Sequence, residues 1–196
     1  MSGARDAIFA ALEAARSVRV AARVRAPSPA LPADPVAMLR ERVAQAGGRL
    51  QALTRPGSLD EVEWPAPLDT LHHVYSAHPA LASRGVGLAT TDVHALAALE
   101  LCVLRAELAV VESGAVWHVP RSPGERAAAL LAEHLVVVVP DSGLVATLHG
   151  VYERIRLDRI AFGWLLCGPS KTADIEQALV LGAHGPRSFR LVLEPD

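Results

Sequence analysis

Cysteine is scarce in this chain. Of 196 residues only Cys102 and Cys167 are cysteines, each inside an apolar run and far from any Cys-x-x-Cys pattern. The sequence therefore offers neither a disulfide framework nor thiolate ligands for a cluster, and both thiols are expected to be buried as small hydrophobes. An excess of one charge is also missing. Nineteen Lys and Arg stand against twenty-one Asp and Glu, for a net charge of −2 and a pI near 6.4. That balance gives no field to draw nucleic acid or an anionic membrane surface. No uninterrupted apolar run approaches the roughly 18 residues of a membrane span. The N-terminal stretch lacks the apolar core of about 7–15 residues that a secretory signal carries. These absences predict a cytoplasmic protein with no membrane span and no nucleic-acid partner, and nothing in the sequence calls for a metal or cofactor.

What is present is ample apolar material. Hydrophobic residues make up 51% and mean hydropathy is +0.27, enough for one sizeable core. Ile8, Leu12 and Ala15 have helical spacing. The stretch 26–35, with Pro27, Pro29, Pro32 and Pro35, cannot continue a helix and reads as a linker or as an ordered strap. The expected division is an N-terminal helix and Pro-rich linker over 1–34 and an α/β domain over 35–196. A second helix starts after Asp34-Pro35 and ends at Gly47-Gly48, with a first strand over 48–54. A short helix is expected over 68–78, bearing His72, His73 and His78. Adjacent His72 and His73 would point about 100° apart on it, and no carboxylate follows at i+4, so no metal site is predicted. Asp92 and His94 fall in the next loop, as pocket residues or ordinary turn chemistry.

The C-terminal half carries the chemistry. An apolar strand ending near Val111 delivers Glu112-Ser113-Gly114, and Gly114 permits a sharp turn. A carboxylate desolvated at a strand end has a raised pKa and could act as a general base or nucleophile. The bland alternative is a structural glutamate bonded to backbone N–H groups. Four consecutive valines at 136–139 indicate a strand buried on both faces, followed by a helix over 144–155. Strand, loop and helix over 160–186, then a strand at 189–193, read as a βαβ unit, hence a parallel sheet. In the loop Gly168-Pro169-Ser170-Lys171-Thr172, N–H groups at a helix start, two hydroxyls and an ammonium favour a small anion. Equally, Ser170 or Thr172 merely caps that helix while Asp174 favours its dipole. The loop matches neither Gly-x-x-x-x-Gly-Lys-(Ser/Thr) nor Gly-x-Gly-x-x-Gly, so no nucleotide follows. Ligands of parallel sheets bind outside the carboxyl ends of the strands, which would place Glu112, Asp141-Ser142 and Ser170 to Thr172 on one rim. A helix of about nine residues carries His184-Gly185-Pro186 to the opposite rim, as a structural turn.

Gly168-Pro-Ser-Lys-Thr-Ala-Asp-Ile-Glu176 and Leu179-Val-Leu-Gly-Ala-His-Gly-Pro186 resemble the C-terminal signature of the LUD-domain family, which includes lactate-utilisation protein C. Ala109-Val-Val-Glu-Ser-Gly114 is similar to the family's Ala-x-Ala-Glu-(Thr/Ser/Asn)-Gly segment. Val111 departs from the usual small residue, and Lys171 stands where arginine is common. The resemblance implies a three-layer α/β/α fold with a mostly parallel sheet, similar to the sugar-phosphate isomerase and CoA-transferase superfamily. It implies a component of a bacterial L-lactate utilisation system whose iron–sulfur sister subunits oxidise L-lactate to pyruvate. The chain would then carry an anion or carboxylate site or serve as a non-catalytic assembly subunit. The alternative is an independent isomerase or CoA-transferase type of enzyme, using Glu112 on a phosphorylated or thioester substrate. Candidate residues are Glu112 for catalysis and Ser113, Gly168, Ser170, Lys171 and Thr172 for the anion, with Asp174 and His184 as further candidates.

Overall fold

The valine run forms the central strand of the molecule. In the computed structural model, which describes residues 3–16, 27–84, 93–172 and 180–196, β6 (His134–Pro140) lies between β11 (Ser188–Glu194) and β3 (Leu101–Arg105). The edges are β1 (Arg49–Ala52) and β2 (Val74–Ser76). All five strands, in the order β1-β11-β6-β3-β2, are parallel. Alternation along β6 divides the core. Leu135, Val137 and Val139 face a cluster with Leu39 and Val43 of α2 (Pro35–Gln45) and Ala128 and Ala129 of α3 (Pro123–Leu131). Val136 and Val138 face the other way, onto Leu53, Leu59, Val62 and Leu81. That second layer comes from the segments on either side of β2, 53–71 and Pro79–Arg84, built of loops and short 3-10 helices. The fold is thus α/β with a mostly parallel central sheet, as the valine run and the strand at 189–193 predict.

Local signals set the boundaries. Asp34 accepts a hydrogen bond from Ala37 N–H at 2.9 Å and Pro35 opens α2, the arrangement of an N-cap followed by a proline that has no N–H to lose. The helix ends where Gly47 adopts φ 84°. The proline-rich strap 27–34 docks on α4 (Leu148–Arg154): Ser28 N–H donates to Glu153 at 2.9 Å, and Ser28 Oγ lies 3.2 Å from Thr147 Oγ1. α1 (Gly3–Arg16) presents Ile8, Phe9 and Leu12 to solvent. No helix among the described residues is long and apolar enough to cross a membrane.

A second sheet was not expected. β3 runs through Ala106-Glu107 into β4 (Leu108–Val110), and β6 runs through the turn Asp141–Gly143 into β7 (Leu144–Val145). The two connectors touch, because a Cβ on Gly143 would collide with Glu107 O. Neighbours in the central sheet therefore leave it side by side and pair again as parallel β4 and β7. β5 (Val116–His118) and β8 (Trp164–Leu166) complete the order β7-β4-β5-β8, each antiparallel to the strand before it.

Three expectations are corrected. The apolar run before Gly168 does not join 189–193 in a βαβ unit. As β8 it is the partly exposed edge of the second sheet, with Leu165 38% exposed. The stretch 68–78 is a 3-10 turn at Leu68–Thr70 followed by β2, not a helix. The helix expected at 144–155 begins only at Leu148, after β7. The helix expected after Thr172, with Asp174, lies outside the described residues, as does Asp92.

Candidate functional site

Between the two sheets sits a buried carboxylate that the sequence reading passed over. Ser122 caps α3 by accepting from Glu125 N–H at 3.1 Å. The Glu125 side chain turns inward, where the residue is 1% exposed. Its Oε2 accepts from Tyr75 Oη–H at 3.1 Å, Arg121 Nε–H at 2.9 Å and Arg121 N–H at 3.3 Å. Its Oε1 lies 3.1 Å from His118 Nε2. Trp164 Nε1–H donates to His118 Nδ1 at 2.8 Å. An indole can only donate, so His118 Nδ1 is the acceptor and the imidazole carries a proton on Nε2, aimed at Glu125. Tyr75 is on the edge strand of the central sheet and Trp164 on the edge strand of the second, so the cluster ties one edge to the other through the first turn of α3.

Electrostatics keep Glu125 ionised. Burial alone would raise its pKa, but hydrogen bonds from His118 and Arg121, the guanidinium charge and Tyr75 outweigh it and bring it down to about 2. Tyr75 is pushed up to about 12, by burial first and then by the Glu125 charge, which keeps the phenol a donor. Arg121 is held charged above its ordinary range, chiefly by its bond to Glu125.

Arg121 itself faces outward, its side chain 61% exposed. Nε is bound to Glu125, and Nη2 donates to Tyr75 Oη at 2.8 Å. Those two bonds use two of five guanidinium donors and fix the plane of the rest. The guanidinium stands between two clefts that share Val119. One, about 440 Å³, opens at the carboxyl ends of β3 and β6 and is lined by Arg105, Glu107 and Pro140. The other, about 340 Å³, lies over the start of α3 with Arg126, Arg159 and Phe162, and among the described residues no acidic side chain lines it. Arg126 stacks on Phe162 at 4.8 Å. On the carboxyl-end rim, buried Glu194 accepts from Gly57 N–H at 2.8 Å and pairs with His78 at 3.3 Å and Arg105 at 3.8 Å. Burial, then the charge of Asp196, raises the pKa of Asp141.

The residues singled out in the sequence fall elsewhere. Glu112 is exposed at the end of β4, in the second sheet, and its Oε1 accepts from Leu148 N–H at 2.6 Å at the start of α4. Ser113 Oγ accepts from Ala115 N–H at 3.3 Å inside the turn, and Gly114 has φ 75° with space for no Cβ beside Val43 N. Gly168 packs on Ala46 at the end of α2. Ser170 N–H is taken by Pro186 O at 2.8 Å, and Lys171–Thr172 pairs with Val180–Leu181 as strands β9 and β10. The helix expected to follow Thr172 lies outside the described residues. The segments 112–114 and 167–171 do meet, Cys167 Sγ lying 3.5 Å from Ser113 O, but alongside α2 and not on the rim of the parallel sheet. Cys167 is exposed, against expectation, while Cys102 is buried. Partial desolvation of the Cys167 thiol by its neighbours raises its pKa and Lys171 partly offsets the rise. His184 is exposed beside Glu133, which precedes β6, and so lies at the amino-end edge. His72 and His73 offer their backbone N–H groups to Glu100. No group of three His, Cys, Asp or Glu side chains suited to a metal occurs among the described residues.

A family model described as the LUD domain matches residues 56–193. Lactate utilization protein C of Geobacillus kaustophilus is 28% identical over 141 residues, covering 68% of this chain and 54% of that protein. The protein of the same name from Bacillus subtilis is 33% identical over 97 residues, covering 46% of this chain and 40% of its own. The chain thus spans about half the length of the curated relatives it matches. A crystal structure of a DUF162 family protein from Deinococcus radiodurans superposes with a TM-score of 0.59 at 17% identity, over 84% of this chain and 99% of that one, a likeness of fold.

Proposed function

This chain belongs to the LUD domain family, and from that premise we propose that it serves lactate utilisation by holding a small carboxylate at Arg121. The observation that carries the reading is the posture of that guanidinium. Glu125 and Tyr75 fix it from behind, and three donors remain for the planar, two-oxygen recognition that a carboxylate offers. Arg126 and Arg159 add positive charge on one side, while Arg105, paired with Glu194, lines the other, at the carboxyl edge of a parallel sheet where ligands commonly sit. The name of the relatives, lactate utilization protein C, supports lactate or its oxidation product as that carboxylate. In this reading the two-electron oxidation of L-lactate to pyruvate proceeds on iron–sulfur sister subunits, and this chain presents the carboxylate to them. In this reading Glu112 serves as a cap of α4, its Oε1 accepting from Leu148 N–H, and not as the catalytic group.

The test is genetic. Deletion of the gene is expected to abolish growth of the source organism on L-lactate as sole carbon source. Wild type and Glu112→Gln should restore it, and Arg121→Lys should not. Normal growth of the deletion strain, or full rescue by Arg121→Lys, would overturn the proposal.

A further inference from the structure

At the opposite, amino-end edge of the central sheet, two arginines stand directly across from one another. Arg49 of β1 is the register partner of Arg190 of β11, so their side chains leave the same face of adjacent strands. Like charges in that position repel. Arg190 is sunk, its side chain 11% exposed, and its carboxylate partner Glu63 at 3.2 Å is 74% exposed. A solvent-exposed partner compensates a buried guanidinium weakly. Arg49 has no ion-pair partner among the described residues. Both line a pocket of about 300 Å³ together with Arg187, His134, Trp64 and Pro65. Lys171 neighbours that wall without lining the pocket: a Cβ built on Gly47, which does line it, would lie 3.4 Å from Lys171 Nζ. The Gly-Pro-Ser-Lys-Thr loop thus sets its cation beside Gly47, behind the wall of a cavity lined by three arginines. Glu133 offsets one of them, Arg187.

We propose that this pocket is a second ligand site, which takes a phosphomonoester with its phosphate between Arg49 and Arg190. A phosphate group supplies up to two negative charges and several acceptor oxygens, which matches a set of converging guanidiniums better than a single carboxylate does. It removes the cross-strand repulsion when it enters. The volume exceeds that of a bare phosphate, and Trp64 with Pro65 forms an apolar wall for a small organic group. Burial lowers the pKa of His134, and its Nδ1 is engaged with Ser188 Oγ at 2.7 Å, so at neutral pH the ring adds shape and no repelling charge.

The experiment is thermal denaturation of the full chain with inorganic phosphate, with phenyl phosphate, and with sodium chloride at matched ionic strength. A ligand that binds only the folded state at about ten times its Kd should raise Tm by roughly 3–5 °C. Phenyl phosphate is expected to raise Tm more than inorganic phosphate at equal concentration, and chloride not at all. Arg49→Gln should lose the response while melting no lower than wild type without ligand, because the substitution also removes the repulsion. Arg187→Gln, which leaves the sheet register pair intact, should weaken the response. An equal rise with chloride, a response of Arg49→Gln that matches wild type, or no rise with either phosphate would overturn the proposal.

Discussion

Trp164 Nε1 and His118 Nδ1 are 2.8 Å apart, and that one bond decides what His118 can offer to Glu125. With Nδ1 occupied by a donor, the ring must carry its proton on Nε2, where it meets the carboxylate. Trp164→Phe keeps the ring packing against Phe162 but leaves a buried acceptor unmet. Such a loss costs about 1–3 kcal/mol, and urea denaturation of the variant should show a drop in stability of that size.

Glu125 should govern the acid limb of stability. Its folded pKa is about 2, against 4.5 for the free side chain. A depressed carboxylate pKa contributes stability that is fully present above the unfolded value and is lost as pH falls through the folded one. At about 1.4 kcal/mol per unit, the contribution is roughly 3 kcal/mol. Between about pH 5 and pH 2 the wild type should therefore lose stability more steeply than Glu125→Gln. Parallel pH profiles for the two proteins would show that the carboxylate is not held as described.

Glu112 is expected to behave as a cap. Glu112→Ala removes the acceptor of Leu148 N–H and should cost about 1–2 kcal/mol. Glu112→Gln keeps an oxygen there and loses only the favourable charge at the helix start, less than about 1 kcal/mol. Chemical denaturation of the two variants separates this from a nucleophilic role, in which both would fold like wild type.

Much of the fold was legible in the sequence, and the reasons are local. A run of valines has to be buried on both faces, Pro35 and Gly47 can only bracket a helix, and Gly114 can only turn. The second sheet was not legible, because nothing in Ala106-Glu107 or Asp141–Gly143 announces that two strands leave the central sheet together. That departure removed Glu112 from the parallel-sheet rim on which it was expected. β8 misled for another reason: Trp164 to Leu166 is apolar enough for a core strand, yet the chain uses it as an edge. The site stayed hidden because Ser122-Pro-Gly-Glu125 has the spacing of a capping box, which gives the glutamate a routine task. Tyr75 and Trp164 lie 50 and 39 positions away and His118, seven positions away, is on β5, and only folding brings them to it.

The most direct measurement is a titration of the full chain with sodium L-lactate, followed by NMR shifts of backbone amides and of the Trp164 indole N–H, against a chloride control at equal ionic strength. Wild type should show saturable shifts centred on Arg121 and Tyr75. Arg121→Lys, which replaces a planar fork by a point charge, should bind at least about tenfold more weakly, a loss of about 1.4 kcal/mol. Wild-type spectra that do not saturate, or an Arg121→Lys protein that binds lactate as tightly as wild type, would contradict the account.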